Sequence, residues 1–245
     1  MRIVIIIPTY NEAGSIGALL DEVRASLCEM PKYEWSVLVV DGHSTDGTAK
    51  IVREKAASDP AIYLFDEPEK RGIAMAYLTG IHHATIELHA DAFIEFDGDG
   101  QHNPHEISRL VAKLDEGFDY VIGSRYIEGG GVPREWSWYR KFLSRYGSLY
   151  TRVLMGWSVK DVTSGFKLTR VKSFREPEKL LSRHYAYKIQ LLADMTESGS
   201  RVIEVPITFR SREHDTSKST WRDIVESLKV TAILRLRRSF GSKKW

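Results

Sequence analysis

Phe96-Asp97-Gly98-Asp99-Gly100-Gln101-His102 is the stretch on which the reading of this 245-residue chain turns. It follows the apolar run Ala92-Phe93-Ile94-Glu95-Phe96, which reads as a strand, and precedes Asn103-Pro104, which reads as a helix entry. The glycines leave the backbone free to turn at the strand's end. In an extended strand the two carboxylates of Asp-x-Asp point to opposite faces, so both meet one ion only where the chain bends. Hard oxygen donors with an amide nearby suit Mg²⁺ or Mn²⁺, ions that keep company with substrate phosphates. The same residues also suit a polar turn in which Asp caps the following helix. The rest of the chain has to decide between the two.

Working outward, Ile3 to Ile7 is a continuous β-branched run closed by Pro8, the pattern of a strand buried on both faces. An amphipathic helix follows, with Ile16, Leu19, Leu20, Val23 and Leu27 on one face. Val37 to Val40 is a second buried strand, ending at Asp41-Gly42-His43-Ser44-Thr45-Asp46-Gly47-Thr48, and Ile62 to Phe65 is a third. Lys70-Arg71-Gly72-Ile73-Ala74 leads into a helix carrying Ala76, Tyr77, Gly80 and Ile81. Strand, loop and helix alternate at short intervals, which predicts a parallel sheet with helices on both faces. Ligands bind such sheets at the carboxyl ends of the strands, where the Pro8, Asp41 and Asp97 loops all fall. Asp41 suits a ligand contact and Asp46 a helix cap.

The second half is less regular. Ile107, Leu110, Val111 and Leu114 mark a helix, and Tyr120-Val121-Ile122-Gly123 a strand opening into Ser124-Arg125-Tyr126. Gly129-Gly130-Gly131 reads as a flexible loop, Tyr139 to Met155 as a helix, and Asp161 to Lys167 as a polar turn. Val202 to Phe209 alternates like a strand, with Pro206 marking an edge or a bulge. Ser211 to Thr220 reads as a mobile polar loop.

Composition is that of an ordinary globular protein, 42% hydrophobic and 28% charged, and a net charge of +2 makes no case for nucleic acid. The single cysteine, Cys28, excludes an intrachain disulfide and, between Leu27 and Met30, reads as a packed thiol in a reducing compartment. The N-terminus is too short for a secretory signal, and no run reaches the ~20 apolar residues that span a bilayer. The histidines show no metal-ligand spacing; His82-His83 fits a helix surface, and His102 falls beside the Asp97 loop.

Pro8-Thr9-Tyr10-Asn11-Glu12, the Asp41–Thr48 segment and Asp97-Gly98-Asp99-Gly100-Gln101-His102, in this order and spacing, resemble the family-2 glycosyltransferases. Gln101-His102-x-Pro104, Gly123-Ser124-Arg125-Tyr126, Asp161-x-Thr163-Ser164-Gly165-Phe166 and Ser217-Lys218 are similar to the dolichyl- or polyprenyl-phosphate mannosyltransferases and their glucosyl relatives. The resemblance implies an α/β fold of the nucleotide-diphosphosugar transferase (GT-A) type, a mostly parallel sheet flanked by helices. It implies a catalytic domain over 1–218 and a basic amphipathic C-terminal helix and tail over 219–245. By position it places Pro8, Tyr10, Glu12, Asp41 and Lys70 on the donor nucleoside. It places Asp97, Asp99 and Gln101 on Mg²⁺ or Mn²⁺ bridging the pyrophosphate, with Asp97, Asp99 and Arg125 as the catalytic set. Arg125, Arg140, Ser144, Arg212 and Lys218 would hold the acceptor phosphate. Three positions depart from the family's pattern: Gly42 stands where a second Asp is common, Ala74 where a Gly is, and Gln190 where many members have Glu.

The implied reaction is inverting transfer of a hexose, mannose from GDP-mannose first, to a polyprenyl or dolichyl phosphate. Chemistry supports an anionic acceptor independently. A hydroxyl acceptor needs a general base, whereas a phosphate monoester, with its second pKa of about 6, is already ionised. Arginine forks match such a phosphate. The alternatives are a UDP-glucose donor, a hydroxyl acceptor with Asp161 as base, or a non-catalytic nucleotide-binding module. Trp221, Ile224, Val225, Leu228, Ala232 and Ile233 lie at helical spacing among Lys229, Arg235, Arg237 and Arg238. That helix is expected to dock on an anionic membrane surface, with packing on the core as the alternative. The expected setting is peripheral on the cytosolic face of a membrane, with a membrane-embedded partner subunit possible.

Overall fold

The structure is a computed structural model, and it describes residues 1–211 and 221–240. Seven strands form one sheet: β1 (Arg2–Thr9), β2 (Glu34–Asp41), β3 (Ile62–Asp66), β4 (Ala92–Glu95), β5 (Tyr120–Ser124), β6 (Lys167–Arg170) and β7 (Val202–Pro206). Their spatial order is β3-β2-β1-β4-β6-β5-β7. The helices are α1 (Ile16–Cys28), α2 (Thr48–Ser58), α3 (Ile73–Ile86), α4 (Ile107–Asp115), α5 (Trp138–Met155), α6 (Tyr187–Glu197) and α7 (Trp221–Phe240).

The N-terminal half follows the pattern expected of it. β1 pairs in parallel with β2 and β4, and β2 with β3, in a register that sets Thr9 beside Asp41 and Asp41 beside Asp66. The β-branched run of β1 is buried on both faces: Ile3, Ile5 and Ile7 pack with α1 and α4, while Val4 and Ile6 pack with α3 and α6. Strand alternation sends successive side chains into opposite layers, which is why neither face can be polar. α3 lies so close to the sheet that a Cβ at Gly80 would come 2.4 Å from Ile6.

β6 departs from the expectation. Lys167 to Arg170 forms a strand antiparallel to both β4 and β5, placed between them. β7 is the sheet edge, as Pro206 requires. The triple glycine is anchored: Gly131 N–H donates to Ile207 O at 2.9 Å, and Phe209 N–H donates to Gly131 O at 3.0 Å. Cys28 is exposed on the solvent side of α1, so the packed-thiol reading is corrected: the helix turns about 100° between Leu27, which is buried, and its neighbour. α7 packs inward through Val230 and Leu234 against Met155 of α5 and Ile189 and Ala193 of α6. No described helix is long and apolar enough to cross a membrane. The expected domain boundary at 218–219, and the site residues Arg212 and Lys218, lie outside the described residues.

Candidate active site

The turn after β4 carries both carboxylates to the mouth of a cavity of about 460 Å³. Asp97, Asp99, Gln101, Arg125, Arg140 and Ser144 all line it, although α5 and the β5 loop lie far from the Asp97 turn in sequence. Lys188 and Ile189 of α6 and Asp223, Ile224, Ser227 and Leu228 of α7 line it as well. Carboxylates, cations and apolar side chains thus share one cavity that runs between α5 and α7.

Asp97 is the most constrained group in it. Its Oδ1 accepts from Tyr77 Oη at 2.8 Å, and Lys188 Nζ stands 3.4 Å from both carboxylate oxygens. His102 Nε2 lies 3.5 Å from Oδ2. Burial alone would raise this carboxyl, but Lys188, His102 and Tyr77 hold it well below the usual carboxylate range. His102 sits behind Asp97, packed against Phe96, Phe166 and Phe209. Asp99 Oδ1 accepts from Gln101 N at 3.1 Å, and Gln101 Nε2 donates to Arg210 O at 3.2 Å.

The residues expected on the donor nucleoside form a second cluster near the ends of β1 and β2. Lys70 Nζ stands 3.3 Å from the centre of the Tyr10 ring. Glu12 N donates to Thr48 Oγ1 at 2.9 Å, which ties the Pro8 loop to the start of α2. Asp46 accepts from Thr48 N at 3.0 Å and from Ala13 N at 2.9 Å, so it joins the same two loops from one residue before Gly47, which takes the N-cap position of α2. Asp41 is fully buried; its carboxylate accepts from Thr9 Oγ1 at 2.8 Å, Ser44 Oγ at 2.7 Å and Ser44 N at 2.8 Å. In this structure Asp41 shapes the loop from behind.

Residues 4–176 match the family described as Glycosyl transferase family 2. The chain belongs to that family. This glycosyltransferase is 35% identical, over 93% of its own length and 84% of the relative's, to the polyprenol monophosphomannose synthase of Mycolicibacterium smegmatis. It is 36% identical, over 89% and 87%, to the undecaprenyl-phosphate mannosyltransferase of Micrococcus luteus. Among solved structures it resembles glucosyl-3-phosphoglycerate synthase of Mycobacterium tuberculosis in complex with Mn²⁺, UDP-glucose and phosphoglyceric acid. The TM-score is 0.67 at 18% identity, over 98% of this chain and 80% of that one. That likeness shows the GT-A-type fold expected from the sequence.

The glycosyltransferase's donor set fits a hard divalent cation. A Cβ at residue 165 would come 2.0 Å from Asp97 Oδ2 and 2.6 Å from Lys188 Nζ, so Gly165 opens the space beside the carboxylate. The hydrogen bond from Gln101 Nε2 to Arg210 O fixes the orientation of this amide, whose oxygen is of the hard type that suits such an ion.

Arg125 and Asp161 form a buried pair. Arg125 Nε donates to Asp161 Oδ2 and Nη2 to Oδ1, both at 2.7 Å, and Arg125 N donates to Oδ2 at 3.0 Å. Asp161 is fully buried. Burial would lower the Arg125 guanidinium, but this bidentate partner raises it instead. A carboxylate with both oxygens on a buried guanidinium is a poor general base, and a fork so engaged is not free to grip a phosphate with that edge.

Sequence reasoning missed Lys188 and the charges beneath it. Glu95 of β4 is fully buried and accepts a hydrogen bond from Tyr187 Oη. Lys167 lies in the same layer, where burial drives its ammonium down to about 8 against the attraction of Glu95. The available signal was a single charge inside each apolar run, Glu95 in Ala92–Phe96 and Lys188 in Tyr187–Leu192. Gln190, where many members have Glu, accepts from Leu181 N and donates to Lys179 O, both at 2.9 Å. An amide does both; an ionised carboxylate only accepts.

Proposed function

We propose that this chain transfers a hexose, mannose from GDP-mannose first, to the phosphate of a polyprenyl phosphate, with inversion at the anomeric carbon. The observation that carries the reading is the cavity, which joins Asp97 and Asp99 to a groove between α5 and α7 with Arg125 and Arg140 on its wall. A phosphate at the arginines with its chain along Leu143, Ile224 and Leu228 satisfies both halves of that lining. The relatives named for polyprenol and undecaprenyl phosphate support the same acceptor.

In the reaction an acceptor phosphate oxygen bonds to the anomeric carbon as the bond to the nucleotide diphosphate breaks. An α-linked donor gives a β-linked product. The acceptor oxygen is already anionic at neutral pH, so no base is needed, in keeping with a clamped Asp161. Pro8, Tyr10, Glu12 and Lys70 hold the nucleoside, with Asp41 bracing their loop. Asp97, Asp99 and Gln101 would hold Mg²⁺ or Mn²⁺, which would supply positive charge against the departing diphosphate. Arg125 Nη1, Arg140 and Ser144 position the acceptor. The enzyme works at the cytosolic face of the membrane.

The test is transfer of labelled hexose from GDP-mannose or UDP-glucose, with Mn²⁺, into an organic-extractable polyprenyl product. Label from GDP-mannose in that product supports the reading. Label from UDP-glucose alone reassigns the donor, and transfer only to hydroxyl acceptors overturns the acceptor.

A further inference from the structure

α5 is built inside out. The face it turns to the protein carries Ser148, Thr151 and Met155, while Trp138 is 77% exposed and Val153 is 72% exposed. At about 100° per residue, Trp138, Phe142, Leu149, Val153 and Tyr146 fall on one outward stripe, with Tyr139 and Tyr150 along one edge. Lys141, Arg145 and Arg152 lie along the opposite edge, and the helix carries no acidic residue. Beside the stripe a cavity of about 380 Å³ is lined by Arg145, Arg152 and Lys160 together with Tyr126, Tyr146 and Leu149. Among the described residues no carboxylate lines it.

A contiguous apolar face of this size on a soluble domain marks a contact surface. Aromatic side chains with tyrosines at the margin and cations along one edge suit the boundary between lipid headgroups and acyl chains. We propose that α5 is the membrane-docking element, laying its apolar stripe into an anionic bilayer, with a lipid phosphate held by Arg145, Arg152 and Lys160. The charge of the edge and the carboxylate-free cavity select an anionic lipid surface over a neutral one. The inner face of the same helix lines the catalytic groove, so docking presents that groove to the bilayer. The choice of lipid rests on the lipid acceptor proposed above; the exposed face itself does not.

The experiment is co-sedimentation of the full chain with phosphatidylcholine vesicles, with and without phosphatidylglycerol and without polyprenyl phosphate. Activity is measured separately on a short-chain, water-soluble prenyl phosphate. The wild type should bind anionic vesicles at least tenfold better than neutral ones. F142S/L149S and R145E/R152E should each lose tenfold or more of that binding, with unfolding midpoints and soluble-acceptor rates near wild type. Unchanged binding in both variants overturns the proposal, as does equal binding to the two vesicle types. A wild-type dimer that F142S/L149S dissociates, without vesicle binding, assigns the face to a second copy and also overturns it. Vesicle binding as expected, with no transfer to the soluble acceptor by wild type, defeats the transferase reading alone.

Discussion

At the scale of single residues, the site depends on what is missing at position 165 as much as on the carboxylates. Asp97 stays ionised because Lys188 and Tyr77 face it, and the approach to it stays open because Gly165 has no side chain. A methyl group there must displace either Asp97 or Lys188, both fixed from several sides, so relief by a flexible neighbour is not available. Gly165→Ala should therefore cut transfer at least 100-fold and abolish Mn²⁺-dependent nucleotide binding, with helix content by circular dichroism unchanged. Near-wild-type metal affinity in this variant would refute the crowded-carboxylate geometry. Arg125 makes the complementary case. Lysine keeps the charge but cannot reproduce the two bonds to Asp161, so Arg125→Lys should lose about 3 kcal/mol in urea denaturation. It should also raise the KM for the acceptor, whose phosphate loses Nη1. A variant with wild-type stability would show that the Arg125–Asp161 pair does not hold the β5 loop.

At the scale of elements, the α6–α7 contact contains a group that works against it. Asp194 lies on α6 with Oδ2 buried and unpartnered among the described residues. Burial and the neighbouring Glu197 push its carboxyl up to about 6, and Arg237 of α7 offsets this only in part. A carboxyl raised in the folded state favours folding while protonated, and that contribution is lost as pH rises through the folded value. Asp194→Asn should thus raise the unfolding midpoint at pH 7 by several degrees, about 1 kcal/mol after allowing for partial exposure, with the gap closing by pH 4. A midpoint difference independent of pH would rule out titration of Asp194 as the cause. The same elements show what was readable from the sequence. β1 and β2 announce themselves because buried parallel strands demand long apolar runs, and β4 does so despite Glu95; Asp41 and Asp97 mark where the β2 and β4 runs end. β6 does not, since Lys167-Leu168-Thr169-Arg170 carries two cations: Lys167 is buried opposite Glu95 of β4, and Arg170 pairs with Asp119. The helical period of α5 was legible, but its outward direction was not. Periodicity gives an apolar stripe without saying which side has a partner.

At the scale of the whole molecule, the sheet divides the labour. The parallel half ends in the Pro8, Asp41 and Asp97 loops, which the register of β1, β2 and β4 brings side by side, whereas the half containing β5, β6 and β7 supplies the Arg125 loop and, through α5 and α7, the groove. The order of motifs along the chain was enough to predict the first half. The second required long-range contacts such as that between Thr151 and Thr231, 3.1 Å apart across α5 and α7, which no local pattern encodes. Nucleotide and metal should consequently bind as a unit: among the described residues grouped above as the nucleoside cluster the cation is Lys70, and the carboxylates repel a diphosphate unless a divalent ion intervenes. GDP with Mn²⁺ at about 100 times its dissociation constant should stabilise the fold by about 2.7 kcal/mol, roughly 5–10 °C in unfolding midpoint for a domain of this size. GDP with a chelator should give less than a third of that shift, and restoring Mn²⁺ should recover both the shift and transfer. A full shift from GDP in chelator would mean that Lys70, Lys188 and the arginines neutralise the diphosphate by themselves, and that Asp97 and Asp99 serve some other end.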